Sequence, residues 1–354
     1  MVDTEIVDSL GDEFEEEILF DYSITAYGAD YTVDSLVKRL KAGDISLPDF
    51  QRGYVWTYSQ ACRFIESLLL GLPVPGIFLS KEESTQKLLV IDGNQRLRTL
   101  QFFFDGVFEP SKKAFELRGV VSRFKDMTYK TLPDEARRRL DDSILHATIV
   151  RQDEPEDENS STFLIFERLN TGGTDLQSQE IRSAIYHGEF KELLKELNRN
   201  KDWRAIYGDT SSRMRDQELL LRFLSMFYYR TKYESPMKKF LNRYMSKNRR
   251  LVLQSADELT STFSKTIHTI HDTIGVRAFR PQGVLNAAVF DSVMVGVAER
   301  LKRGPLSNPT SLSQAYDSLL LNPDFIQASG KATAREAQLA ARMKLAVDAF
   351  MNVP

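Results

Sequence analysis

The spacing of apolar positions changes repeatedly along the first half of the chain, and each change predicts an element. Residues 20–26 read as a strand. Thr32 precedes Val33, Leu36, Val37 and Leu40, a helical stripe that Gly43 ends, so a helix capped by Thr and closed by Gly is expected. Residues 45–56 lack periodicity, and Pro48 excludes a helix through them. Thr57 and Gln60 have capping-box spacing ahead of Ala61, Phe64, Ile65, Leu68 and Leu69, a strongly amphipathic helix that Gly71 and Pro73 stop. A strand at 76–80, a polar connection at 81–87 and the run Leu88-Leu89-Val90-Ile91 predict a β-hairpin. Asp92-Gly93 breaks that run, and Leu97, Leu100, Phe103 and Phe104 then recur at helical spacing, so residues 88–104 read as strand, tight turn, helix.

Further strands are expected at 114–121 and 143–150, with a short helix at 133–140 that has Pro in its first position. Residues 151–161 form an acidic surface loop. Phe163, Phe166 and Leu169 lie on a helix leading into Asn170-Thr171-Gly172-Gly173-Thr174, and Ser178 caps another helix that Gly188 closes. Beyond residue 189 the patterning is almost entirely helical, as at Leu219, Leu220, Phe223, Leu224 and Phe227. The fold class is therefore α+β. Residues 1–17 form an acidic, flexible tail, 18–188 a mixed α/β domain and 189–354 a helical domain.

Composition narrows the function classes. The length of 354 residues suffices for a sizeable core. No apolar run approaches a membrane span, and the N-terminus lacks the pattern of a secretory signal. The single cysteine, Cys62, excludes an intramolecular disulfide and a cysteine-rich zinc site, and a reducing cytoplasmic location is expected. Eight acids and no base fall in residues 1–17, so the remainder is mildly basic although the net charge is −3. That balance permits contact with nucleic acid. The acidic start reads as a solvated tail, or as a segment that covers a basic groove.

Three stretches carry candidate chemistry. Asp92, Gly93, Asn94, Gln95, Arg96 and Arg98 lie where free backbone N–H groups and the helix dipole favour phosphate. The arginine forks suit phosphate oxygens, Asp92 suits Mg2+ or a water, and Gln95 suits orientation of a nucleophilic water. The alternative is an ordinary helix start with Asp92 as its cap. Asn170, Thr171, Gly172 and Gly173 can form an anion nest, or simply a helix end. The loop Phe50-Gln51-Arg52-Gly53-Tyr54-Val55-Trp56 mixes a cation with aromatic rings, which suits a nucleotide, or places those rings in the core. His268 and His271, followed by Asp272, offer half a metal site or a polar helix face, and no metal is expected there. Walker A, H-E-x-x-H, G-x-S-x-G and Rossmann fingerprints are absent from the sequence.

Taken together, Pro48-Asp49-Phe50-Gln51-Arg52-Gly53-Tyr54-Val55-Trp56, Asp92-Gly93-Asn94-Gln95-Arg96-Leu97 and Phe166-Glu167-Arg168-Leu169-Asn170-Thr171-Gly172-Gly173-Thr174-Asp175-Leu176 resemble, in order and spacing, the N-terminal domain of GmrSD-type type IV restriction enzymes and of the phosphorothioate-dependent defence protein SspE. The resemblance covers roughly residues 20–190. It implies a divergent ParB/sulfiredoxin-like fold and a nucleotide site centred on a D-G-Q-Q-R segment, with hydrolysis in some members. By motif position, Asp92, Gln95 and Arg96 would be catalytic. Arg52, Trp56, Gly93, Asn94, Arg98, Asn170, Thr171, Gly172 and Gly173 would bind an NTP, with Mg2+ as a further cofactor.

Two departures matter. Asn94 stands where the family pattern has its first Gln, one methylene shorter, which favours binding over hydrolysis. Residues 190–354 show no HNH-like nuclease motif, so the chain resembles a stand-alone version whose nuclease, if any, is a separate subunit. The expected function is a nucleotide-binding, NTP-responsive component of a bacterial defence or restriction system. The alternative is a non-catalytic DNA-binding or scaffold subunit, with Lys238, Lys239, Arg243, Lys247, Arg249 and Arg250 as the best basic cluster.

Overall fold

Alternating burial along the strands of the N-terminal half organises the first unit. The computed structural model describes residues 6–7, 23–47, 54–82, 85–154, 160–169, 176–330 and 332–354. In chain order the elements are β1 (Ile6–Val7), β2 (Ser23–Thr32), α1 (Val33–Ala42), β3 (Ile45–Ser46), α2 (Tyr58–Leu70), β4 (Ile77–Lys81), β5 (Leu88–Asp92), α3 (Asn94–Asp105), β6 (Val107–Phe108), β7 (Lys113–Ala114), α4 (Asp134–Asp141), β8 (Ile144–Glu154) and α5 (Ser160–Leu169). There follow α6 (Ser178–Ile185), α7 (Glu189–Leu197), α8 (Lys201–Tyr207), α9 (Arg215–Tyr229), α10 (Met237–Lys247), α11 (Ala256–Thr273), β9 (Leu285–Asn286), α12 (Ala287–Leu301), α13 (Pro309–Leu321), α14 (Pro323–Gly330) and α15 (Glu336–Met351). Two units result: Asp21–Leu176, and Met1–Phe20 together with Gln177–Pro354.

In the first unit a five-stranded mixed sheet has the order β2-β8-β4-β5-β3. The β2/β8 and β4/β5 pairs are antiparallel, while β4/β8 and β3/β5 are parallel. Ile77, Leu79, Leu88, Val90, Leu145, Ala147 and Ile149 alternate onto one face and are buried beneath α1, α2 and α3. The other face is not bare: Ile91 is buried, and Ser80 Oγ and Thr162 Oγ1 on α5 hydrogen-bond at 3.3 Å.

The helix signals read from the sequence act as expected. Thr32 Oγ1 accepts from Ser35 N, and Gly43 closes α1 in the left-handed region. Thr57 and Gln60 form the complete capping box of α2. The hairpin of β4 and β5 forms as read. Four details differ. Residues 151–154, expected in the acidic loop, continue β8. The first strand, expected at 20–26, runs on to Thr32 because it follows β8 along its length, and residues 20–22 lie outside the described residues. Of residues 114–121 only Ala114 is in a strand, the end of β7: after it the backbone bonds go to loops, Phe115 N to Gly106 O and Leu117 N to Met127 O. Gln177, not Ser178, caps α6, in a box with Glu180.

The second unit is helical as expected. Its α12 is buried nearly all round, and Gly296 explains how α15 approaches it: a Cβ there would lie 2.7 Å from Phe350 Cδ2 and 2.8 Å from Ala346 O. Within the acidic N-terminal segment, Ile6–Val7 pairs in parallel with Leu285–Asn286.

Candidate functional site

The turn between β5 and α3 is built around one glycine. Gly93 adopts φ 104°, the left-handed region, where an L side chain is strained. A Cβ on it would lie 2.4 Å from Ile77 Cγ2, so packing forbids a side chain as firmly as the backbone angle does. Gly93 is the N-cap of α3, and no side chain caps the first turn. Asp92 is therefore not the cap. It is the last residue of β5, and its Oδ2 accepts from Arg96 Nη2 at 2.5 Å.

The side chains that follow are arranged by hydrogen bonds between neighbouring turns. Asn94 is buried, at 4 % exposure, and its Oδ1 accepts from Arg98 Nε at 2.9 Å. That contact orients the amide, so Nδ2 is the end left over. Asn94 Nδ2 and Arg96 Nε are both buried without a hydrogen-bond partner among the described residues. Two orphaned donors beside an uncapped helix start form a concentration of N–H groups with no acceptor, and such groups are costly to leave unpaired.

Gln95 has a different task. Its Oε1 accepts from Val55 N at 3.0 Å and Trp56 N at 3.4 Å, which ties the end of the aromatic loop to α3. Thr99 extends the tie. Its hydroxyl donates to Gln95 O at 2.7 Å, which leaves its oxygen to accept from Tyr54 Oη at 2.6 Å. Neither Tyr54 nor Thr99 was singled out in the sequence as a partner of this turn. The usable signal was Thr99 one helical turn after Gln95 on a buried face. Trp56 is half-buried, edge-on to Phe64 at 5.5 Å, and Tyr54 packs on Phe102 and Phe108, so both rings belong to the core cluster.

Burial pushes the Tyr54 hydroxyl up to about 12, against the lowering effect of its bond to Thr99. The folded state thus favours the neutral phenol. Its contribution is complete below the ordinary tyrosine value near 10 and disappears as pH rises through about 12. Urea midpoints measured from pH 9 to 12 are expected to fall more steeply for the wild type than for Tyr54→Phe. Burial also pushes the Cys62 thiol up, and its sulfur is engaged by Arg118 N and Glu116 O, which suits a packing role rather than a nucleophile.

Arg52, Asn170, Thr171, Gly172 and Gly173 fall outside the described residues. In the helical unit, Lys238, Lys239, Arg243 and Lys247 are on α10, with Arg249 and Arg250 just after it. Arg243 pairs with Glu234 at 3.3 Å. Arg249 Nε donates to His187 O at 2.6 Å, and Arg249 O accepts from Phe190 N, so this arginine organises the start of α7. His268 Nδ1 lies 3.0 Å from Asp202 Oδ2 and its Nε2 lies 3.3 Å from Asp272 Oδ2, a polar link between α8 and α11. Among the described residues no group of three or more His, Cys, Asp or Glu side chains is arranged to hold a metal ion, and no helix is long and apolar enough to cross a membrane.

Comparison with known proteins gives two findings. A stretch of 100 aligned residues is 31 % identical to an uncharacterized protein of Methanocaldococcus jannaschii, covering 22 % of this chain and 17 % of that protein. The chain thus spans under a fifth of the length of the relative it matches. Residues 33–187 match the family model described as "GmrSD restriction endonuclease, N-terminal domain". That span contains the whole β5–α3 turn, its tie to the aromatic loop and the third motif. Over residues 33–187 the chain is thus similar to the GmrSD N-terminal domain family.

Proposed function

We propose that the turn from Asp92 to Arg98 binds the phosphates of a nucleoside triphosphate, and that the protein is a nucleotide-responsive component of a restriction-type defence system. One observation carries the binding reading: the buried, unpartnered donors Asn94 Nδ2 and Arg96 Nε beside a helix start with no side-chain cap. Polyanions suit such a place, because backbone N–H groups, the helix dipole and a guanidinium act together. Asp92 is the carboxylate that would hold Mg2+ accompanying the triphosphate. A single carboxylate plus phosphate oxygens meets the usual needs of that ion. The defence context follows from the restriction endonuclease named in the family description. The partners of such a component would be DNA or a nuclease subunit.

Binding is the activity supported, ahead of hydrolysis. Gln95 Oε1 is occupied by two backbone N–H groups, so it fastens the aromatic loop rather than aiming a water. The same bond supports a switch: a ligand that draws Arg96 or the first turn of α3 acts directly on Val55 and Trp56. A DNA-binding role for α10 has less behind it, since Arg243 and Arg249 are committed to structural contacts.

A thermal-shift panel with each of the four NTPs and Mg2+ tests the proposal. A ligand at about 100 times its Kd stabilises the folded state by roughly 2.7 kcal/mol, which corresponds to a rise of about 5–10 °C for a domain of this size. Arg96→Ala is expected to abolish that rise. No shift with any NTP would refute the proposal.

A further inference from the structure

The loop between α10 and α11 holds two apolar side chains out in water. Val252 and Leu253 are 76 % and 43 % exposed. The loop is not free to fold them back. Asn248 is fully buried, and its Oδ1 accepts from Leu253 N at 3.1 Å and Gln254 N at 3.5 Å. Leu251 N donates to Asn248 O at 2.8 Å, and Gln254 Oε1 accepts from Tyr244 Oη at 2.9 Å. Leu251 itself takes φ 54°, the left-handed region, which is unfavourable for a branched side chain. A strained residue persists where its surroundings over-determine it, and such residues gather at functional surfaces.

Beside this tip lies a groove of about 570 Å3. Leu251 and Ala256, which flank the tip in sequence, line it together with Glu189, Glu192, Leu193 and Glu196. The four α7 residues recur at i, i+3, i+4 and i+7, so they form one face of that helix. All three glutamates are exposed. Glu192 is held by Lys195 at 3.1 Å, whereas Glu189 and Glu196 have no ion pair among the described residues. Lys247 and Arg250, just before the tip, are also exposed and also lack an ion pair among the described residues. The tip is thus apolar and basic, and the groove is apolar and acidic.

We propose that the Val252–Leu253 tip of one copy of this chain seats in the α7 groove of a second copy, and reciprocally. Charge complementarity names the occupant. A foreign partner would have to match an acidic flank and a basic flank of one patch at once. A second copy does so by construction, because a two-fold axis beside the loop sets the basic flank of each copy against the acidic flank of the other. Tip and groove share one loop, so both can lie close to such an axis, and each copy supplies one knob and one hole. The pinned loop arrives already in shape, which lowers the ordering cost of association.

Sedimentation velocity on the full chain at micromolar concentration tests the proposal, with Val252→Asp/Leu253→Asp as the probe. Both side chains are exposed, and the bonds that pin the loop use the backbone of Leu253 rather than its side chain. Compared where both proteins are monomeric, the variant is therefore expected to keep the wild-type far-UV circular dichroism and unfolding midpoint. The wild type should sediment as a dimer, and the variant should dimerise with a Kd roughly tenfold or more weaker, since apolar burial is lost and carboxylates meet an acidic groove. Arg250→Glu should weaken the dimer as well, and Arg250→Glu/Glu189→Lys/Glu196→Lys should recover it. A monomeric wild type would overturn the proposal, including the case in which the groove takes only a different protein. So would a dimer that the two aspartates leave unchanged, or one that the charge exchange fails to recover.

Discussion

Gly93→Ala is expected to destabilise the protein by about 3 kcal/mol, a fall in Tm of about 6–12 °C for a unit of this size. Two independent costs contribute. Holding an L residue in the left-handed region at φ 104° costs about 1–2 kcal/mol. Forcing a methyl group to within 2.4 Å of Ile77 Cγ2 costs about 1–3 kcal/mol, because Ile77 is itself buried in the sheet and has little room to move. A double-mutant cycle separates the two. In an Ile77→Ala background the backbone cost of Gly93→Ala remains while the steric cost is removed, so the substitution should become cheaper by about 1–2 kcal/mol. Additive effects would show that the side chain of Ile77 does not shape the turn. Since Gly93 also sets the direction in which α3 begins, Gly93→Ala is expected to weaken NTP binding even below its lowered Tm.

Arg222→Met in the helical unit is expected to be costlier still, at about 3–5 kcal/mol. Arg222 and Asp291 are 2 % and 0 % exposed, and the guanidinium grips the carboxylate with Nε at 3.1 and 3.2 Å and Nη2 at 2.6 Å. Arg342 Nη2 lies 3.7 Å from the same carboxylate. The group thus joins α9, α12 and α15 in the interior. Removing Arg222 leaves Asp291 with one distant counter-charge in a place water does not reach. Replacing all three together, as Arg222→Met/Asp291→Leu/Arg342→Met, removes charge and counter-charge alike and should restore much of the loss. Urea denaturation of the single and triple variants checks this. A triple variant weaker than the single one would show that the network supplies more than mutual neutralisation.

How much of this was legible in the sequence depended on range. Helix caps are local, and Thr32, Gly43, Thr57, Gln60 and Gly71 act as their spacing indicated. The β4–β5 hairpin was legible for the same reason. Pairings between distant segments were not. Alternation in 143–150 showed a strand, but not that it would sit between β2 and β4, nor that β2 would follow it to Glu154.

Residues 115–121 have the composition of a strand, but their backbone bonds go to neighbouring loops. At the site, Asp92-Gly93 was legible as a turn, yet which residue capped α3 depended on Ile77, which lies in a different strand. The role of Gln95 was likewise hidden, because its partners are backbone N–H groups of the loop some 39–40 residues earlier. The charges of Arg222, Asp291 and Arg342 give no local hint of burial, since only tertiary packing brings them together.

The central claim is that the orphaned donors of the β5–α3 turn receive a nucleotide phosphate. The most direct measurement is calorimetric titration of an NTP with Mg2+ into the wild type and into Asn94→Leu, a near-isosteric change that removes the amide with its unpartnered Nδ2. Titration should show saturable binding to the wild type, and a loss of at least about tenfold in affinity for Asn94→Leu, the worth of one charge-assisted hydrogen bond. The unfolding midpoint of the variant should change little, because removal of the buried unsatisfied Nδ2 offsets loss of the Oδ1 that accepts from Arg98 Nε. Equal affinity in the two proteins, or no binding of any NTP to the wild type, would contradict the account.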